Sequence, residues 1–257
     1  MPSRAASLLL SLIVAITAPV AAGPVVSIII DDLGDRAADV AVLELPSAVA
    51  LSVLPHTPYG AMLAREAAAR GHEVLLHLPM EPVGGQPPGP GVLTSDLDRE
   101  AFISRLDADL ASVPAARGVN NHMGSRLTRQ PKQMRWVMTA LQAQGDLFYV
   151  DSRTTDETVA FQVAGDFGLR RAERDRFLDN VVERDAIRVE FLGLVEEARA
   201  TGSALAIGHP HPATLAVLVE MLPLLEALGV ELVAVNELIS RRDDAGRLRI
   251  SALPAAE

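Results

Sequence analysis

The chain has 257 residues, 49% of them hydrophobic and 22% charged, and no Cys. It is too apolar to be a disordered chain, and the absence of Cys excludes a disulfide scaffold, a thiolate metal site, an iron–sulfur cluster and a thiol nucleophile. Lys and Arg number 23 against 33 Asp and Glu, a formal charge of −10, which argues against a nucleic-acid partner or an anionic membrane surface.

Residues 1–22 read as an export signal. Arg4 supplies the positive start, Leu8–Ile16 the apolar stretch and Val20-Ala21-Ala22 a small-residue cleavage site. Pro19 and the cleavage site cut the run short of the roughly 20 apolar residues of a spanning helix. The expectation is a mature chain that begins at Gly23, carries no membrane anchor and resides in the periplasm or outside the cell. Residues 23–245 are expected to form a single domain, with a charged, peripheral tail over 246–257.

Val25–Ile30 is a β-branched run, as in a strand buried on both faces, and gives way to Asp31-Asp32-Leu33-Gly34-Asp35. Ala48–Leu54 is a second apolar run, closed by Pro55-His56-Thr57. Tyr59–Arg70 is Ala-rich and helical, with Gly71 where a C-terminal glycine stop belongs. Glu73–Leu78 is the next strand, followed by Pro79-Met80-Glu81. Pro82–Gly91, rich in Pro and Gly, is a loop. Ser95-x-x-Asp98 reads as a capping box before a helix to about Ser112. Arg117–Asn121 is extended, and Pro131–Gln144 is a helix with Pro in its first turn and Gly145 past its end. Leu147–Val150 is a strand, Glu157–Phe167 a helix and Leu169–Ala172 a weak strand. Glu183–Thr201 is the longest amphipathic helix, stopped by Gly202. Ala204–Ile207 is a strand, Ala213–Leu228 a helix broken at Pro223, and Val230–Val235 the last strand.

Strand–helix alternation implies an α/β fold with a parallel sheet. Polar clusters follow nearly every strand: Asp31/Asp32, His56, His77/Glu81, Asn120/His122, Asp151/Ser152, Asp175 and His209/His211. An open doubly wound sheet gathers ligand groups at one switch point, whereas a (β/α) barrel rings its C-terminal face with them. The distribution favours the barrel.

Asp31 and Asp32 are adjacent carboxylates at an apolar strand end, costly unless a cation neutralises them. Because successive strand residues point to opposite sides, one acid can bind a cation while its neighbour does something else. A plain turn, with Asp32 or Asp35 capping and Gly34 at positive φ, is the alternative. His77 sits in an otherwise apolar run, and His122 lies in a segment too polar for core and too apolar for a free loop. Asp32, His77 and His122 together make an Asp-His-His set, the pattern of a catalytic zinc with an open fourth position. His209, between Gly208 and Pro210, suits a metal ligand or a general acid. His56 is a rim candidate, while His72 and His211 remain unassigned.

Seven segments in chain order resemble the divergent polysaccharide deacetylase family, a distant branch of the carbohydrate esterases with the NodB-type fold. They are IIIDDLG (28–34), LSVLPHTPY (51–59), GHEVLLHLPMEP (71–82), GVNNHMGSRLT (118–128), FYVDSRTT (148–155), RDRFLDN (174–180) and AIGHPHPATL (206–215). The resemblance implies a distorted (β/α) barrel of the glycoside hydrolase/deacetylase type with one divalent metal at its mouth, usually Zn2+. It implies Asp31 as catalytic base, Asp32 and His77 as metal ligands and His209 as general acid. Typical members carry a further ligand His where this chain has Glu81, so Glu81 and His122 compete for the third ligand position. Their Arg-Pro-Tyr motif, which helps bind the acetate product, has no match. Asn120, Asn121 and Ser152 are candidates for that work, and Asp151 and Glu81 complete the expected substrate-binding set. Asp151 or Asp175 is expected to orient His209.

The implied activity is removal of N-acetyl or other acyl groups from a cell-envelope polysaccharide or peptidoglycan. Two rivals stand beside it: a metal-stabilised glycan-binding protein without catalysis, and a scaffold for cell-wall hydrolases.

Overall fold

The computed structural model describes residues 23–251; the expected export signal, residues 1–22, lies outside the described residues. Among the described residues nine strands form one sheet, and every pairing in it is parallel. They are β1 (Val25–Leu33), β2 (Ala50–Val53), β3 (Val74–Met80), β4 (Gly118–Met123), β5 (Phe148–Asp151), β6 (Arg171–Glu173), β7 (Arg176–Phe177), β8 (Ser203–Gly208) and β9 (Glu231–Leu232). The order across the sheet is β6-β5-β4-β3-β2-β1-β8-β7, with β9 on the lower half of β1.

The two ends of that order, β6 and β7, are consecutive in sequence and joined by Arg174-Asp175 alone. The Arg174 N–H donates to Asp151 O on the β5 side and the Asp175 N–H to Leu205 O on β8, so this link stitches the seam where ladder pairing stops. A sheet curled until its ends meet, with its seam made by strands of three and two residues, is the distorted barrel expected.

Side-chain alternation sorts the strands into two packed layers. Outward residues such as Ile28, Ile30, Leu51, Val53, Leu76, Leu78 and Val119 join the core beneath the helices. Those helices are α1 (Gly60–Ala69), α2 (Arg99–Ser112), α3 (Pro131–Ala143), α4 (Ala160–Asp166), α5 (Arg184–Thr201) and α6 (Pro212–Met221). Inward residues Ile29, Leu75, Phe148, Val150, Leu205 and Ile207 fill the barrel. Gly118 also points inward, and a Cβ there would lie 2.3 Å from the Phe148 ring. Above this apolar plug the same inward rows end in polar residues: Asp31, Ser52, His77, Asn120, Ser152 and His209.

Two expectations are corrected. The last strand shrinks to Glu231–Leu232, because Val235 already begins α7 (Val235–Ser251), a helix that runs into the expected tail, of which residues 252–257 lie outside the described residues. Val235, Leu238 and Ile239 of α7 plug the bottom of the barrel, and Glu73 accepts the Asn236 N–H at its first turn. The capping box at Ser95 does not form; Asp98 itself is the N-cap of α2, accepting from the Ala101 N–H at 2.8 Å. A 3-10 helix over Ala37–Glu44, unmarked by any periodicity, follows β1. The remaining boundaries agree within a few residues, including Pro131 at the start of α3 and Gly202 in the left-handed region after α5.

Candidate active site

The site begins with an irregularity in β1. Ile30 pairs with Leu51 but Leu33 with Val53, so three steps on β1 face two on β2. This bulge, with Asp32 at φ 59°, brings both acids to the barrel mouth instead of sending them to opposite faces. His56, Met123 and Arg153 also have positive φ, each just past or at the end of a strand. Such conformations cost on the order of 1–3 kcal/mol each and cluster at functional sites. Here all four lie on one rim. Asp39 fixes the turn after the acids, accepting from the Gly34 and Arg36 N–H groups.

Asp32, His77 and His122 converge. His77 Nε2 lies 3.1 Å from Asp32 Oδ1, His122 Nδ1 lies 2.9 Å from the same oxygen, and the two nitrogens are 3.1 Å apart. The register explains the meeting, because His77 pairs with Asn120 and Pro79 with His122, placing both rings on the inward rows of neighbouring strands. Asn120 is fully buried and donates its Nδ2 to both Asp31 oxygens at 2.9 and 3.0 Å. Its Oδ1 must therefore accept, from Ser52 Oγ at 2.6 Å and from His77 Nδ1 at 3.0 Å. That hydrogen bond uses the Nδ1 proton and leaves Nε2 of a neutral His77 as a bare lone pair facing Asp32 and His122.

Three acceptor atoms packed edge to edge repel one another unless a proton or a cation lies between them. Two imidazole nitrogens and a carboxylate oxygen suit a divalent metal with bonds of about 2.0–2.2 Å, and an edge near 3 Å fits one face of its coordination shell. The donor set therefore fits a divalent metal.

Glu81 is not among these groups. Its carboxylate accepts the Ser95 N–H at 2.7 Å and pairs with Arg126 at 3.2 Å, tying down the chain on both sides of the Pro-rich loop. Of the two candidates for the third ligand, the geometry brings in His122. Glu81→Gln is accordingly expected to leave metal affinity within about twofold of the parent, against the 10–100-fold loss typical of even an outer-shell change; metal titration of the purified variant measures this.

Asp31 is buried, 3.6 Å from His77 Nε2. Burial pushes its carboxyl above the ordinary value, against the opposing pull of His77 and His209. Asp32 behaves oppositely. Burial works against its charge, but the adjoining His122 and His77, where they carry a proton toward it, take it far below the carboxylate range. Just past the end of β8, the strand beside β1, His209 Nδ1 is 2.8 Å from Asp179 Oδ1, whose other oxygen accepts the His209 N–H and the Thr214 hydroxyl, each at 2.7 Å. Burial disfavours the imidazolium, but Asp179 and the charges of Asp31 and Asp32 outweigh it and lift His209 to about 9. The Phe177 ring stacks on His209, and Arg174 sits 3.7 Å above Phe177.

Several expected roles change. The partner of His209 is Asp179, not Asp151 or Asp175. Asp151 is fully buried and spends its oxygens on the Arg153 N–H, the Thr158 hydroxyl and the Phe161 N–H, so it shapes the β5–α4 loop and does not face a substrate. Asp175 accepts from the Leu205 N–H and Arg242 at the seam. Asn120 is fully engaged within the protein. Asn121 lines the cavity, though its amide accepts from Tyr149 and the Ser152 N–H and donates to Met123 O. Ser152 also lines it, its Oγ 3.2 Å from Asn120 Nδ2. His72 is buried with Nδ1 against Val49 O. Asp179 carried a signal in RDRFLDN (174–180), but nothing there tells which acid faces a histidine 30 residues on.

Two adjoining hollows meet at Asp32, His122 and His209. A smaller one of about 250 Å³ is lined by Asp31, Asn121, Met123, Ser152, Thr154 and Phe177. A larger cleft of about 380 Å³ opens toward Leu54, Pro55, Thr57 and the Pro87–Pro90 stretch.

A sequence profile of the divergent polysaccharide deacetylase family matches residues 28–239. The uncharacterized protein YibQ of Escherichia coli (strain K12) is 39% identical over 221 residues, 86% of this chain and 69% of that protein. The crystal structure of the uncharacterized protein ATU2773 from Agrobacterium tumefaciens C58 superposes with a TM-score of 0.80 at 25% identity, covering 84% of this chain and 89% of that one. A mutant of BA3943, described as a CE4 family pseudoenzyme with restored enzymatic activity, superposes with a TM-score of 0.54 at 14% identity, over 84% of this chain and 68% of that one. Profile, relatives and barrel agree: the chain belongs to the divergent polysaccharide deacetylase family.

Proposed function

We propose that the protein is an exported, metal-dependent hydrolase that removes N-acetyl or related acyl groups from a cell-envelope polysaccharide or peptidoglycan. The observation that carries this reading is the order of groups around one cavity. Asp31 lies 3.6 Å from His77 of the Asp32–His77–His122 triangle, and His209, held by Asp179, comes within 3.9 Å of Asp32 in the same triangle. A divalent cation held by the triangle, zinc in the first instance, would polarise the acyl carbonyl and make a nearby water more acidic. Asp31, oriented by Asn120 and made more basic by burial, takes the proton of the attacking water. His209, kept charged by Asp179, returns a proton to the leaving nitrogen as the C–N bond breaks. The smaller hollow receives the acyl group and the larger cleft the sugar chain. Among the described residues no helix is long and apolar enough to cross a membrane.

A second reading is a metal-stabilised glycan-binding protein without turnover. It is favoured by Glu81 standing where typical members have a ligand His, and by the likeness to a protein described as a pseudoenzyme. One experiment separates the two. The purified chain is expected to bind one equivalent of zinc, to lose it in Asp32→Ala and His122→Ala, and to release acetate from an N-acetylated glycan. Undiminished zinc in both variants removes the site. Retained zinc with no acetate release, and glycan binding unaltered in Asp31→Asn and His209→Ala, leaves the binding protein.

A further inference from the structure

The larger cleft has walls that the mechanism does not explain. One is the β2–α1 loop, through Leu54, Pro55 and Thr57. Another is a strap over residues 82–91, which presents Pro87, Pro88 and Pro90. Between Gly84 and Pro90, the strap's one backbone hydrogen bond among the described residues is the local Gln86 N–H to Gly84 O. Its shape therefore depends on its fixed ends and on the locked φ angles of its prolines. At the leading end the Val83 N–H donates to Ser125 Oγ at 2.8 Å. At the trailing end Arg105 reaches Val92 O at 2.8 Å.

Between these walls lies Asp109 of α2, fully buried and not part of the metal triangle. His56 Nε2 is 2.9 Å from its Oδ1. His56 has φ 57°, so its side chain goes to Asp109 while its neighbours Pro55 and Thr57 line the cleft. From the other wall Gly91, at φ 81°, packs on the same carboxyl; a Cβ there would lie 2.2 Å from Oδ1 and 2.9 Å from Cγ. Oδ2 has no hydrogen-bond partner among the described residues. Burial pushes this acid up to about 8, against the pull of Arg105. A helix that needed only packing here would carry Leu.

We propose that Asp109 is a positioning residue of the substrate cleft, tying the β2–α1 loop through His56 and the proline strap through Gly91 to one helix and so fixing the cleft's width for an extended sugar chain. The proposal rests on reading the cleft as the glycan site.

The test compares Asp109→Leu, which keeps the branched outline in a somewhat larger side chain and removes the bond to His56, with Asp109→Asn, which keeps both the size and a bond, and with Gly91→Ala, which pushes the strap away from its own side. Asp109→Leu and Gly91→Ala are expected to raise amide hydrogen exchange over residues 54–57 and 82–91 by ~10-fold or more. They are also expected to weaken the Kd of an N-acetylglucosamine oligomer ~10-fold, with zinc affinity and monosaccharide binding within about twofold of the parent. Asp109→Asn is expected to restore most of both. Unchanged exchange in Asp109→Leu overturns the proposal. So does a parallel loss of zinc, monosaccharide and oligomer binding, which marks a merely structural residue. Failure of the deacetylase reading shows separately, as a parent that binds oligomer and responds to these substitutions yet releases no acetate.

Discussion

Asp31→Asn is expected to lower kcat for acyl release by about 10²–10⁴ while the protein folds and holds its metal, the range that general-base catalysis contributes. The carboxylate is almost inaccessible, and its geometry is fixed by both Asn120 contacts. An asparagine fills the same space and can still accept from Asn120 through one oxygen. It cannot take a proton. Metal binding should survive because the triangle uses Asp32, and His77 keeps its Nδ1 bond to Asn120. Residual kcat within tenfold of the parent, measured with zinc content held equal, would remove Asp31 from the proton-transfer step.

The acid pair also shows where the sequence stops being informative. Tandem Asp after a β-branched run marks a strand end, and His77 and His122 stand out because imidazoles are rare in apolar strands. Alternation then assigns the two acids to opposite faces, and that assignment fails. A bulge is a local disagreement between two strands, visible only as the offset of Ile30–Leu51 against Leu33–Val53. The polar residues near the site were similarly ambiguous. Asn120, Asn121, Asp151 and Glu81 look like ligand-binding groups because they are polar and follow strands. Burial turns Asn120, Asn121 and Asp151 toward protein partners instead, since a buried amide or carboxylate must be satisfied, and the half-buried Glu81 is held by Ser95 and Arg126. Asp109 gave no signal at all, as one acid among several on an amphipathic helix. The barrel was easier to read. Its strand–helix alternation and apolar runs recur along the chain, while the two-residue β7 at the seam, the 3-10 helix after β1 and the turn of Val235 into a helix escaped the pattern.

Asp179→Asn is the second substitution with a large expected effect, and its signature is a pH profile. His209 must be protonated to give its proton to the leaving nitrogen, so activity should fall as pH rises through its value of about 9. Asp179 holds that proton through a 2.8 Å bond to Nδ1. Without the charge, burial remains and pulls the imidazole back toward the ordinary value. At about 6.5, only ~3% would be protonated at pH 8, against ~90% in the parent. The descending limb of kcat should move down by up to about 2.5 pH units, and the loss should be far smaller at pH 6 than at pH 8. Stability should follow the same linkage. The raised His209 value contributes stability that is full below the unfolded imidazole value and lost as pH rises through about 9. The lowered Asp179 value contributes stability present above the unfolded carboxyl value and lost as pH falls. The pair therefore stabilises most between roughly pH 4 and 6.5, and the variant's deficit in denaturant midpoint should be greatest there. A kcat profile whose alkaline limb does not move would mean that the proton delivered to the leaving group comes from elsewhere, with His211, whose ring centroid lies 5.9 Å from that of His209, the next group to replace.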